Sequence, residues 1–189
     1  MELKNLIGQY TLLTPELVSV FLKTFHNVKE FTPAEVTNQK GQGVNLNHRV
    51  VQNYPIKCGL DISLTETHWF NFIGLLLQRK IEKYNEDKQV HYTPTRLLEL
   101  TLLKYEQGGF YKPHVDSGMI HRELSAIVFL NNDYEGGHLQ FFEPNHKDLI
   151  LDIKPEIGKV VLWPSNFLFP HQATPVTKGT RFVLVSWMI

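Results

Sequence analysis

The chain has 189 residues, with 19 Lys and Arg against 19 Asp and Glu, and 42% hydrophobic against 20% charged residues. That length favours one domain burying roughly 70% of the surface it would expose unfolded, and the composition excludes general disorder. A formal charge of zero excludes the basic footprint of a general nucleic-acid or membrane-surface binder, and the single cysteine, Cys58, excludes an internal disulfide and any cysteine-based zinc or iron–sulfur site. The start, Met1 to Asn5, has no basic segment leading into a long apolar run, and no apolar stretch approaches roughly 18 residues. The expectation is a cytosolic protein with no membrane span and no export signal.

In chain order, Thr14-Pro15-Glu16 is a helix start, with a polar cap and a proline at the first helical position. Leu17, Val20, Phe21 and Phe25 then recur at helical spacing through about Asn27. Residues 30–62 hold Gly41, Gly43, Gly59 and two prolines, and only short apolar runs. They are expected to form a long irregular segment, with a short strand at Val50-Val51, of the kind that serves as a functional lid or stays mobile. A second helix is expected to begin near Ser63 to Thr67, with Trp69, Phe72, Ile73, Leu76, Leu77, Ile81 and Tyr84 as its apolar stripe. From Arg96 the texture changes to strands, at 97–105, 124–130, 138–142, 149–153, 159–163, 173–177 and 181–188. Turn clusters such as Gln107-Gly108-Gly109, Asn131-Asn132-Asp133 and Lys178-Gly179 separate them. Helices first and strands after give an α+β expectation: a jelly-roll-like double sheet at 96–189, with the helices and loop of 1–95 backing one sheet.

The stretch from Tyr105 to Asp116 carries the chemistry. In an extended segment residues i and i+2 share a face, so His114 and Asp116 present an imidazole and a carboxylate to one ion. A mononuclear iron site of the two-histidine, one-carboxylate type needs a second histidine and leaves three positions open. His171, after Trp163-Pro164-Ser165-Asn166-Phe167-Leu168-Phe169-Pro170, is the candidate. Arg181 opens a strand whose alternate members are Val183, Val185 and Trp187, an otherwise apolar face that would be costly to build unless the guanidinium met an anion. A guanidinium matches a carboxylate bidentately, so a dicarboxylate is a natural partner. If 171–177 and 181–188 form a hairpin, a strict two-residue turn at Lys178-Gly179 puts His171 and Arg181 on opposite faces. The reading therefore expects an odd loop or a bulge.

Several motifs now stand in one collinear series: Tyr105-x-x-x-Gly109-x-Tyr111-x-Pro113-His114-x-Asp116, Arg122-x-x-Ser125-x-Ile127-x-Phe129-Leu130-Asn131, and Gly136-Gly137-x-Leu139-x-Phe141. Pro170-His171 and Lys178-Gly179-x-Arg181, with Trp187 six residues on, complete it. This half of the chain resembles the iron- and 2-oxoglutarate-dependent dioxygenases, in their prolyl 4-hydroxylase-like branch. The resemblance implies that His114, Asp116 and His171 bind Fe(II), and that Arg181 pairs with the distal carboxylate of 2-oxoglutarate. It implies Tyr105 beside the cosubstrate, Trp187, Tyr111 and Arg122 on the substrate side, O2 as the other reactant and ascorbate as an accessory. The implied double-stranded β-helix hydroxylates proline in a peptide or protein, releasing succinate and CO2. Two positions depart from the pattern: Phe129 stands where some relatives have a tyrosine that hydrogen-bonds the distal carboxylate, and Val185 where others have a threonine.

Two further readings stay open. One keeps the reaction but takes a free amino acid or other small molecule; an open groove beneath 30–62 suits a peptide and a closed lid a small molecule. The other is a non-catalytic binding module on the same fold, against which the intact triad and Arg181 argue. No nucleic-acid or membrane partner is expected, because the chain is neutral and has no second arginine shortly after Arg181. Gly136-Gly137 reads as a tight turn before a strand, since no phosphate-loop Gly-Lys follows. His121, His138, His146 and Cys58 read as structural.

Overall fold

The computed structural model describes residues 2–25, 30–38, 41–117 and 121–189. After a 3-10 turn at Leu3–Leu6 the elements are β1 (Gly8–Thr11), α1 (Pro15–Phe25), β2 (Thr32–Pro33), β3 (Val36–Asn38), β4 (Gly41–Gly43), β5 (Arg49–Val50), β6 (Gln52–Ile56) and α2 (Leu64–Lys88). There follow β7 (Leu97–Tyr105), β8 (Phe110–His114), β9 (Leu124–Phe129), β10 (Glu135–Gly136), β11 (Leu139–Phe142), β12 (Leu149–Ile153), β13 (Lys159–Pro164), β14 (His171–Ala173), β15 (Val176–Lys178) and β16 (Arg181–Met188). A seven-stranded sheet runs β1-β13-β9-β16-β7-β6-β2 and a five-stranded one β12-β11-β14-β8-β5; β10-β15 and β3-β4 are separate pairs.

Side-chain parity makes the layers. On the larger sheet Leu100, Leu102, Leu124, Ala126, Val128, Val160, Leu162 and Leu184 face one way, into a core shared with α1 and α2. Their neighbours Leu103, Tyr105, Ile127, Phe129, Val161, Trp163, Val183 and Val185 face the other way, where they meet Leu139, Phe141, Ile153 and Ala173 of the smaller sheet. Strands apolar on both faces are what a sheet covered on both sides requires. The order is therefore helices, large sheet, small sheet.

Ser63 caps α2 by accepting from the Glu66 amide at 3.1 Å. The Glu66 carboxylate in turn accepts from the Tyr54 hydroxyl and the Lys57 amide, tying the helix start to β6. The α2 stripe buries Trp69, Ile73, Leu77, Ile81 and Tyr84, with Phe72 and Leu76 partly covered. In α1 the buried set is Val18, Phe21 and Phe25, and Val20 is 53% exposed. The stripe is centred on Phe21 and takes the residues three before and four after it, which leaves Val20 about 100° off the contact face. The expected end of this helix at Asn27 lies outside the described residues.

Three expectations change. Strands do not begin at Arg96: β1 pairs with β13, β6 with β7 and β5 with β8, so the first half of the chain extends both sheets. Residues 30–62, expected to be irregular, contain five short strands among the described residues. Finally, the 171–188 hairpin does not form. β14 pairs with β8 and β11 in the small sheet, β16 with β7 and β9 in the large one, and β15 crosses between them to pair with β10. The odd loop or bulge was needed only for a hairpin; His171 and Arg181 reach one interior from opposite sheets.

Phe21 has no exposed surface and packs edge-on to Trp69 at 5.1 Å, joining the two helices. Phe21→Ala is expected to cost about 3–5 kcal/mol, read as a lower urea midpoint at unchanged slope.

Candidate active site

His114 ends β8 and His171 opens β14, and the two are register partners across that strand pair. Their rings lie 4.2 Å apart. Asp116, two residues past His114, turns its carboxylate to the same point: Oδ1 is 3.9 Å from His114 Nε2 and Oδ2 is 3.7 Å from His171 Nε2. One donor atom from each of the three lies within 4.8 Å of the others, the one such group of metal-ligating side chains among the described residues. The proposed ligands converge as the i, i+2 argument requires.

Hydrogen bonds orient all three. His114 Nδ1 contacts the Lys112 carbonyl at 2.9 Å and His171 Nδ1 contacts the Phe169 carbonyl at 3.0 Å. A carbonyl can only accept, so Nδ1 carries the proton in each ring and Nε2 offers its lone pair to the centre. Ser125 Oγ donates to Asp116 Oδ2 at 2.6 Å, and Ser165 Oγ lies 2.6 Å from Ser125 Oγ. Ser125 has one proton and spends it on the carboxylate, so Ser165 is the donor in the second bond. Burial and the neighbouring His171 push the His114 imidazole well below its usual range. Burial alone would raise the Asp116 carboxyl, but His171, His114 and Ser125 outweigh it and hold it below the usual value. A neutral His114 imidazole beside an ionised Asp116 carboxylate is the protonation state a divalent cation needs of those two groups.

The centre opens into a cavity lined by Leu103, Tyr105, Leu139, Ala173, Arg49, Tyr111 and Trp187. Tyr111 stacks on His114 at 3.5 Å between ring centres, and the Arg49 guanidinium sits 4.5 Å from the centre of the Tyr111 ring. Tyr105 lies under the Arg181 guanidinium at 4.6 Å. Among the described residues Arg181 is the largest fully buried side chain, and neither its Nε nor its two terminal nitrogens has a hydrogen-bond partner there. Arg122 does not line the cavity. It stacks on Trp187 at 3.9 Å, pairs with Glu99 at 3.3 Å and so backs that ring.

Ser125, Ser165 and Arg49 carry no role in the sequence reading. Ser125 could have been found as the lone polar residue on the inner parity of Leu124–Phe129. Ser165 and Arg49 left no such signal. His121 and His138 pair with Glu123 and Asp152 away from the triad, and Cys58 is exposed.

The residues fit an iron and a dicarboxylate. The donor set is two imidazoles and a carboxylate, with second partners on all three, and a buried guanidinium without a partner calls for an anion. The family model described as the 2OG-Fe(II) oxygenase superfamily matches residues 100–189. Over that span, a little under half of the chain, it is similar to that superfamily. A PKHD-type hydroxylase of Gloeothece citriformis is 33% identical over 107 residues, covering 53% of this chain and 46% of that protein. Prolyl 3-hydroxylase 1 of Gallus gallus is 25% identical over 146 residues, 67% of this chain and 20% of the relative. The chain thus spans less than half the length of these curated relatives. A crystal structure of a Pseudomonas putida prolyl-4-hydroxylase superposes with a TM-score of 0.69 at 22% identity, covering 96% of this chain and 91% of that one, which establishes likeness of fold.

Ser125→Ala removes the donor that fixes Asp116 and leaves the backbone untouched. Fe(II) affinity is expected to fall roughly 10–100-fold, measured by anaerobic titration, with little change in the unfolding midpoint.

Proposed function

We propose that the chain is an Fe(II)- and 2-oxoglutarate-dependent hydroxylase acting on proline in a peptide or protein, with the 4-position the first choice. The observation that carries this is the Arg181 guanidinium, buried and unpartnered in the same inter-sheet layer as the His114, Asp116 and His171 cluster. In this reading the three residues hold Fe(II), and Arg181 takes the distal carboxylate of 2-oxoglutarate. The metal with 2-oxoglutarate and O2 supplies the oxidising power, succinate and CO2 leave, and one oxygen atom enters the C–H bond. Tyr105 walls the cosubstrate end and covers Arg181. Tyr111 and Trp187 flank the mouth, where flat apolar rings suit a pyrrolidine, and Arg122 stiffens Trp187 from behind. The apolar lining keeps bulk water from the centre. The two-sheet sandwich is read as a double-stranded β-helix forming one domain with its helices, working in the cytosol. Likeness to a prolyl 3-hydroxylase and to a prolyl-4-hydroxylase supports proline as the target class and leaves the carbon to be read from the product.

The test has two parts. Anaerobic Fe(II) and 2-oxoglutarate should give the visible band of the chelate; His171→Ala should abolish it, and Arg181→Ala should require far more cosubstrate. With O2 and ascorbate, proline-containing peptides should gain the mass of one oxygen atom with matching succinate. Amino-acid analysis then separates 4- from 3-hydroxyproline. Oxidation of free amino acids but not peptides would move the small-molecule reading ahead, and a parent chain without the band would leave the binding module.

A further inference from the structure

Phe129 and Val185 stand where the resemblance would put a tyrosine and a threonine beside the distal carboxylate, so Arg181 lacks both aids. A different phenol occupies the neighbourhood. Tyr134 is 9% exposed, and its hydroxyl is buried without a hydrogen-bond partner. A Cβ built on Gly137 would lie 2.8 Å from Arg181 Cδ and 2.9 Å from Tyr134 Cε2, so the two side chains converge on one side of that glycine. Burial raises the Tyr134 phenol and the adjacent Arg181 draws it partway back. Its net direction is upward, so at neutral pH it is a hydroxyl with a proton to donate.

The placement is fixed from two sides. Asn131 Nδ2 donates to the Thr180 carbonyl at 2.7 Å, and Asn131 Oδ1 accepts from the Phe182 amide at 2.7 Å. This clamps the turn before Tyr134 onto the start of β16, which Arg181 opens. Gly137 takes a φ of +61° and leaves no Cβ where Arg181 and Tyr134 pass. The Gly136-Gly137 turn therefore does more than reverse the chain: it clears the space these two polar groups share. Both side chains carry unsatisfied donors in one buried place, and buried donors are satisfied in nearly all native structures.

We propose that the Tyr134 hydroxyl is a second donor, beside Arg181, to the distal carboxylate of 2-oxoglutarate, and that it helps select a dicarboxylate over a monocarboxylate 2-oxo acid. This rests on the oxygenase reading above. A carboxylate has about four acceptor sites; a bidentate guanidinium uses two of them, and a phenol reaches a third without competing for the same lone pairs.

Tyr134→Phe removes one oxygen atom and keeps the ring that fills the site. Binding to the Fe(II)-loaded protein is followed anaerobically through the chelate band, using 2-oxoglutarate and 2-oxopentanoate, which has the same chain length without the distal carboxylate. The Kd for 2-oxoglutarate should rise roughly tenfold or more, the scale of one hydrogen bond to a charged group, while that for 2-oxopentanoate stays within twofold of the parent's. An unchanged 2-oxoglutarate Kd, or equal weakening of both acids, overturns the assignment while leaving the oxygenase reading in place. A parent chain that shows no band with 2-oxoglutarate brings down both.

Discussion

A guanidinium carries five N–H donors and a charge that cannot be discharged at any physiological pH. Arg181 places all of this between two sheets, with an aromatic face at 4.6 Å and no hydrogen bond to its nitrogens among the described residues. Cation–π contact returns only part of what desolvating a charge costs. An apolar side chain of similar volume would make a more stable sandwich. The arrangement makes sense when an anion completes the charge pair, and the surrounding features follow from that need. β16 must run deep in the large sheet, between β7 and β9, to carry Arg181 inward. Tyr105 must oppose it in register, since its ring covers the cation.

The candidate metal cluster of His114, Asp116 and His171 obeys the same logic with smaller groups. Each histidine is held by the carbonyl two residues before it, a device an extended strand supplies through its own backbone. Asp116 has left β8 and lacks that support, so it is held by side chains instead, through Ser125 on β9 and Ser165 just past β13. The small sheet thus supplies the two imidazoles and the large sheet orients the carboxylate. A change in the spacing between the sheets would move the carboxylate relative to the imidazoles, which couples the geometry of the centre to the packing of the inter-sheet core.

What the sequence revealed and what it hid divide along physical lines. The strands at 97–105, 149–153 and 181–188 and the start of the second helix were legible because a two-residue alternation and a serine cap are local properties of the chain. His114 and Asp116 were legible for the same reason. Sheet membership was not. Parity says which face a residue takes but not which strand lies beside it, so the 171–188 segment read as a hairpin when it is a crossover. β1 escaped notice because an edge strand of four residues is held by backbone pairing and carries little pattern of its own, whereas β5 lies within one residue of the short strand expected at Val50-Val51. Val20 was misplaced because two valines flank the contact stripe and only the partner helix decides between them.

The substrate side follows from a stack that begins far from the centre in sequence. Arg49 donates to the Glu35 carbonyl at 2.9 Å, lies over Tyr111, and Tyr111 lies on His114. Residues 30–62, expected to be irregular apart from a short strand, thereby place a guanidinium one aromatic ring from the His114 imidazole. A lid held only by its own loop would leave the ligand ring free to tilt. Here β5 pairs with β8, whose other neighbour is the strand that His171 opens, so the backbone that carries Arg49 is fixed to the strand that carries Tyr111 and His114. Arg49, Tyr111 and the candidate ligand His114 are then parts of one packed stack, and the pairing of β5 with β8 anchors it.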